Sequence, residues 1–452
     1  MINLSALAQK LDGELIGGDI AFSQLSTDSR TLTRGDMYLA LRGDRFDGND
    51  FVSEAITKGA SGAIVSKELD IDCPMLRVSD THAALGEIAK LNRLQSSAKV
   101  IALTGSQGKT TVKEMIHRVV SNRANTLITY ANLNNTIGVP LTLLELNENH
   151  RFAVIEIGAN NAGEISFSAD KALPNIALIT NASSAHIEGF GSLQGIVEAK
   201  GEIIDSVSAQ GTIVLNAMDP NVGQWIERAN SRRVVLFSAC SSDTSVKYFA
   251  SKVLIGKSGL VSFTLNSPVG QRRLRLRLLG CHNVSNAMAA ASTAMEAGAT
   301  LEDVEIGLAN LGPIKGRLEA KRTIFDGQLI DDTYNASPNS FFAAIDVLMG
   351  FSGLRILVAG DMKELGQNSV SAHMLVGKYA AIAGVDEFWA VGEQAKFAVQ
   401  AFGRRARHFT SKNDLLNASK EIANNETVFL IKGSRGTQME TVVNELTFSE
   451  GE

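Results

Sequence analysis

Lys109 and Thr110 close a short glycine loop, Thr104-Gly-Ser-Gln-Gly-Lys-Thr-Thr111, behind the apolar run Lys99–Leu103. A lysine and a hydroxyl residue at a strand-to-helix turn suit a nucleoside triphosphate. Backbone N–H groups at the helix N-terminus face the phosphates, the ammonium adds a point charge, and the hydroxyl can sit on Mg²⁺. Gly105, Ser106, Gln107, Gly108, Lys109, Thr110 and Thr111 are therefore the candidate phosphate contacts. The loop is shorter than the pattern G-x-x-x-x-G-K-[ST]: Leu103 stands where that pattern begins with glycine, and Gly105 is the nearer one. The competing reading is a glycine turn without a ligand. The strand before it and the helical pattern after it favour phosphate.

Other polar residues fall where strands should end. Glu156 closes the run Phe152–Ile157. A carboxylate there suits a hard divalent cation, and a surface glutamate fits the position equally well. His186 lies in the polar, glycine-bearing stretch Asn181–Phe190. Imidazole is a weak Mg²⁺ ligand, so position alone makes it an exposed or capping histidine. Lys200, in Val197-Glu-Ala-Lys-Gly-Glu202, reads alone as a surface lysine. The amide-rich Asn132–Pro140, with Asn134 and Asn135, is either a turn or a substrate or phosphate contact. Asp331 and Asp332 end a strand, where carboxylates can hold ribose hydroxyls, and Tyr334 and Asn335 follow. Lys432 and Arg435 suit anionic groups, or are ordinary surface charge. Arg317 sits at a hinge in Gly316-Arg-Leu-Glu319. Thr27-Asp28-Ser29-Arg30 and the run Leu41–Phe51, with Arg42, Gly43, Arg45 and Asp47, read as a diphosphate or sugar site or as a polar loop.

The elements that must position these residues follow from periodicity. Gly62–Ser66 and Met75–Ser79 are short strands, and Thr81–Leu94 is a helix leading to the nucleotide strand. Val100–Leu103, Thr126–Thr129, Phe152–Ile157, Ile176–Thr180, Ile213–Asn216 and Val234–Phe237 read as strands separated by helices. One of those helices is Thr110–Ser121, with Val112, Met115, Ile116 and Val119 on one face. Such alternation predicts a mostly parallel sheet covered on both sides. Ser245–Leu279 reads as a β-meander, in which the basic face of Arg273–Leu278 is expected to be solvated rather than ligand-binding. Asn283–Glu296 is helical, with Gly298 suited to its C-terminal cap. Beyond Leu311–Lys315, Leu329–Asp331, Ile356–Ala359, Phe388–Val391 and Val428–Ile431 read as a second open α/β sheet. The fold class is α/β with three domains: a small α/β domain over 1–81, a central nucleotide-binding domain over 82–313 and an open α/β domain over 314–452.

The chain has 452 residues, too many for one core. Hydrophobic residues make up 44%, charged residues 20%, and net charge is −5, so nothing points to a nucleic-acid or membrane partner. Cys73, Cys240 and Cys281 are far apart, form no CxxC pair and read as core residues in a reducing compartment. The first residues carry no basic segment followed by an apolar run, and no run is long enough for a membrane span. A cytoplasmic monomer is expected.

The ordered set Thr27–Arg30, Thr104–Thr110, Asn132–Asn135, Glu156–Gly158, His186, Glu198–Glu202, His282-Asn283, Gly316-Arg317, Asp332–Asn335 and Lys432–Arg435 resembles the muramyl ligases of bacterial peptidoglycan synthesis. The resemblance covers nearly the whole chain, and family members share the short glycine loop. It implies a first domain for the UDP-muramyl substrate, a second that is the ATPase, and a third, Rossmann-like, that completes the nucleotide and amino-substrate sites. It also implies that ATP phosphorylates the terminal carboxylate of UDP-MurNAc-tripeptide, and that the amine of D-Ala-D-Ala displaces the phosphate.

Carried over residue by residue, the resemblance puts Lys109 on the β/γ-phosphates and Thr110 near Mg²⁺. Glu156 would ligate one Mg²⁺ and His186 a second. Lys200 resembles a lysine that becomes carbamylated, which turns a cation into an oxygen ligand. His282, Asn283 and Asn286 resemble the adenine-side segment, and Arg317 and Asp332 the phosphate and ribose contacts. Thr27–Arg30 and Arg42–Asp50 resemble the UDP-sugar end. Tyr334, Asn335, Lys432 and Arg435 would face the dipeptide or the acyl phosphate. Where the family usually shows Asn-Ala-Asn-Pro, this chain has Asn335-Ala-Ser-Pro338. The absence of an Asp-Asn-Pro-Arg motif weighs against the ligase that adds the third residue. Two further readings stand beside this one. Folylpolyglutamate synthase shares the later blocks and lacks the Thr-Asp-Ser-Arg block. A non-enzymatic ATP-gated module would not need the acid, histidine and lysine set.

Overall fold

A computed structural model describes residues 2–43, 46–183, 187–240, 243, 245–256 and 259–448. His186 and Arg45 lie outside the described residues. Among the described residues the chain forms three α/β units, each built on its own sheet.

The central unit carries a nine-stranded sheet in the order 270–279, 260–267, 248–255, 233–238, 212–216, 176–179, 99–104, 152–156, 126–128. The first two pairings in that order are antiparallel and the rest are parallel. The strand Lys99–Thr104 explains its own place in the middle. Val100, Ile101, Ala102 and Leu103 are all fully buried, the unbroken apolar run of a parallel strand covered on both faces. Ile101 and Leu103 enter a core with the helices Lys109–Val120 and His282–Glu296. Val100 and Ala102 enter a second core, with the helix Leu193–Asp205 on the other face.

The predicted meander is present, with Leu274, Leu276 and Leu278 buried and Arg273, Arg275 and Arg277 exposed. Gly298 follows the C-cap of the helix His282–Glu296 with φ +112°, a value that favours glycine. The cysteines depart from expectation. Cys240 and Cys281 are exposed and Cys73 is half-buried, because they sit at turns rather than inside elements.

The first unit carries a five-stranded sheet in the order 14–16, 75–77, 62–65, 37–39, 25–26. The third carries six strands in the order 319–322, 328–332, 427–432, 354–359, 387–391, 406–409, parallel except for the first pair. Among the described residues no helix is long and apolar enough to cross a membrane.

Candidate active site

Parallel register brings several strand ends level. Glu156 pairs with Leu103, and Ile179 with Thr104, so the strand-end carboxylate and the segment after Ile179 flank the glycine loop. Gly105 has φ +150°, and a Cβ there would run into Thr180 Oγ1. Gly108 has φ +78°, and its Cβ would lie 2.5 Å from Asn286 Oδ1. Both positions need left-handed backbone and close approach, which is why both are glycine. Lys109 Nζ donates to Gly105 O at 2.7 Å, closing the loop on itself.

A cavity of about 400 Å³ opens between the central and third units. The central unit contributes loop residues 106–111, Asn134, Asn135, Glu156, His282, Asn283 and Asn286. The third contributes Arg317, Asp332, Tyr334, Asn335 and Lys432. This is the crevice beyond the carboxyl ends of two open sheets.

Glu156 is 1% exposed. Its Oε1 accepts from Asn134 Nδ2 at 2.8 Å and from Thr110 Oγ1 at 3.3 Å. Its Oε2 is buried and has no hydrogen-bond partner among the described residues. A buried carboxylate oxygen without a donor, beside a hydroxyl, is what a hard divalent cation would complete.

Arg317 spans the cleft. A guanidinium N–H donates to Thr110 Oγ1 at 2.9 Å, and the guanidinium stacks 4.1 Å from the centre of the Tyr334 ring. Arg435 approaches the same ring at 5.9 Å. Lys432 Nζ donates to Asp332 Oδ2 at 2.5 Å and to Asn335 O at 2.9 Å, so its charge is paired inside the third unit. Asn283 and Asn286 form a short relay: Asn286 Nδ2 donates to Asn283 Oδ1, and Asn283 Nδ2 to Leu279 O, each at 2.8 Å. Ser337, where the resemblance would have asparagine, caps the helix Pro338–Leu348 and receives Gln107 Nε2 at 3.4 Å.

Lys200 corrects its reading as a surface lysine. It is 3% exposed on the helix Leu193–Asp205, with Nζ 5.4 Å from the centre of the Phe190 ring. Burial, with the charge of Lys109 as the second cause, lowers its ammonium to about 7 against the opposing pull of Glu202 and Glu164.

The first-unit candidates lie outside this cavity. Asp28 is held at about 2, chiefly by hydrogen bonds from the Arg30 guanidinium, and Ser29 O accepts from Lys58 Nζ at 3.1 Å. Asp47 is held at about 2, chiefly by Asn49, whose Nδ2 donates to it at 2.6 Å. Thr27 is half-buried, and Arg42 and Gly43 are exposed. The motif survey passed over Asn160, Glu164, Asn181 and Lys363, which also line the cleft. Asn181 and Lys363 follow strand ends, so the rule that picked Glu156 would have found them.

Comparison with known proteins matches the chain nearly end to end. Residues 21–93 match the model described as "Mur ligase family, catalytic domain", 103–294 "Mur ligase middle domain" and 316–435 "Mur ligase, glutamate ligase domain". The UDP-N-acetylmuramoyl-tripeptide–D-alanyl-D-alanine ligase of Escherichia coli K12 is 43% identical over 98% of both chains. A crystal structure of MurF from Acinetobacter baumannii superposes with a TM-score of 0.91, at 37% identity over 97% of both chains. That of the MurF ligase from Thermotoga maritima, in complex with ADP, gives 0.85 at 26% identity, covering 93% of this chain and 96% of its own. Three family models following one another along a chain whose relatives match it nearly end to end lead to one assignment: the protein is a ligase and belongs to the Mur ligase family.

Proposed function

We propose that this ligase joins D-alanyl-D-alanine to UDP-N-acetylmuramoyl-tripeptide with ATP, releasing ADP and phosphate, in the cytoplasm and as a monomer. The observation that carries this reading is the near end-to-end similarity to relatives named for that reaction. The cleft has the chemistry the reaction needs. Gly105–Thr111 would cradle the triphosphate, with Lys109 leaving Gly105 O to meet the β/γ end. Arg317 would neutralise phosphate charge from the third unit, and Asp332 would hold ribose. His282, Asn283 and Asn286 would lie on the adenine side.

The donor set around Thr110 and Glu156 fits Mg²⁺, and the resemblance adds His186 and a carbamylated Lys200 around a second ion. Bound there, Mg²⁺ would neutralise charge as the phosphoryl group passes. A low-lying lysine ammonium fits carbamylation, because the uncharged amine is the form that adds CO2.

The tripeptide carboxylate takes the γ-phosphoryl group. The dipeptide amine then attacks the acyl carbon, the C–N bond forms, the C–O bond to phosphate breaks, and the amine proton leaves to solvent. Asn134 and Asn135, with Tyr334, Asn335, Lys432 and Arg435, would hold the acyl and amine partners. Thr27–Arg30, Arg42, Gly43, Arg45 and Asp47 would hold the UDP-sugar. The three domains would run over 1–81, 82–313 and 314–452.

The test is phosphate release with ATP, UDP-MurNAc-tripeptide and a panel of amine acceptors. Turnover requiring D-Ala-D-Ala is expected. Turnover with another amino acid in its place sinks the assignment.

A further inference from the structure

We infer that Asn181 is the positioning residue of the phosphate loop: its side-chain amide locks the main chain of Gln107 and so sets nucleotide affinity. This rests on the ATP-dependent reading above and deepens it.

Asn181 lies two residues past the strand Ile176–Ile179. Its amide meets the Gln107 main chain on both sides, at the N–H and at the carbonyl. Gln107 N–H donates to Asn181 Oδ1 at 3.0 Å, and Asn181 Nδ2 donates to Gln107 O at 3.1 Å. Thr180 Oγ1 donates to the same carbonyl at 2.8 Å. The main chain continues the seam: Ser106 N–H donates to Asn181 O at 3.0 Å, Ser106 Oγ donates to Ser183 O at 3.1 Å, and Ser183 N–H donates to Ser106 Oγ at 2.9 Å.

The residue held this way is the one most in need of holding. Gln107 stands inside a loop bounded by Gly105 and Gly108, both at positive φ, where the backbone has the most freedom to lose. With Gln107 N–H tied to Asn181, the N–H groups at the start of the helix Lys109–Val120 are the ones left to face an anion. Both polar atoms of the Asn181 amide are engaged with the loop, so it acts through the loop rather than on phosphate. The same lock directs the Gln107 side chain to Ser337 Oγ in the third unit, 3.4 Å away. Ordering the loop before the nucleotide arrives removes a cost that binding would otherwise carry.

The decisive pair of variants is Asn181→Asp, which puts a carboxylate oxygen against Gln107 O, and Thr180→Ala, which removes the other donor to that carbonyl. Calorimetric binding of Mg-ADP to the full chain reads the effect without turnover. Asn181→Asp is expected to raise the Kd for Mg-ADP and the KM for ATP about tenfold, the scale of one lost buried hydrogen bond. The KM values for the UDP-linked peptide and the dipeptide should stay within about twofold. Thr180→Ala should move nucleotide affinity the same way by less. Asn266→Ser, in the distant meander, should leave it unchanged.

Unaltered Mg-ADP affinity in Asn181→Asp overturns the inference, as does an equal rise in all three KM values. If that variant does not fold, an unchanged Kd in Thr180→Ala overturns it instead. Wild-type protein that binds Mg-ADP but does not ligate D-Ala-D-Ala defeats the functional reading alone. Wild-type protein that does not bind Mg-ADP defeats both.

Discussion

Lys200 shows how burial changes what a side chain can do. Its ammonium falls from the ordinary 10.5 to about 7, mainly through desolvation. Between those values the unfolded chain binds the extra proton and the folded chain does not, so this group adds stability as pH rises from about 7 toward 10.5. The urea midpoint of the wild type should climb over that window relative to Lys200→Met, and parallel curves would contradict the shift. The same uncharged amine is the form that captures CO2. Enzyme stripped of CO2 should regain activity on adding bicarbonate at a rate that increases with pH through about 7. Glu156 gives the complementary case. Glu156→Gln keeps an acceptor for Asn134 but removes the charge beside Thr110. It should lower kcat about a hundredfold or more and raise the Mg²⁺ concentration needed for half-maximal rate. An unchanged Mg²⁺ dependence would remove Glu156 from the metal's surroundings.

The loop between the strand Lys99–Thr104 and the helix Lys109–Val120 works because its two glycines stand where Thr180 and Asn286 leave no room for a Cβ. Gly108→Ala forces left-handed backbone on an alanine, a cost of about 1–2 kcal/mol, and pushes its methyl toward Asn286. Weaker Mg-ADP binding with little change in the dipeptide KM is the expected result. Equal binding would mean that the loop rearranges freely. The loop and helix were legible in the sequence, since an apolar run, a glycine pair and a 3.6-residue period each name their own conformation. The meander was legible too, from the strict alternation in Arg273–Leu278. The ends of the elements read from the sequence moved by a residue or two, because terminal backbone groups answer to capping and pairing partners elsewhere in the chain. The short strands 14–16, 25–26, 37–39, 319–322 and 406–409 carried no periodic signal long enough to read.

Across the whole molecule, side-chain contacts tie distant sequence together, and two of them lie in the cleft. Arg317 reaches Thr110 across 207 residues, and Lys432 reaches Asp332 across 100. The Asp332–Lys432 side chains are only 13% and 2% exposed, so removing one partner strands the other's charge. Lys432→Met should cost about 3–5 kcal/mol of folding stability, measured by urea unfolding. The double variant Lys432→Met with Asp332→Asn should recover part of that loss. A single variant as stable as the wild type would show that Asp332 finds solvent in the cleft.

By itself the sequence determined the α/β class, the longer strands and helices, the phosphate loop and the ordered motifs by which the chain resembles its family. These are local signals: periodicity, glycine placement and residue types at strand ends. Tertiary structure alone decided which of those residues share the cleft and in what state. It buried Lys200 and left Cys240 and Cys281 exposed. It paired Lys432 with Asp332, set Arg317 against Thr110, and left a Glu156 oxygen without a donor among the described residues. Burial, electrostatic partnering and close approach depend on what the rest of the chain brings to a point in space, and no local pattern carries that information.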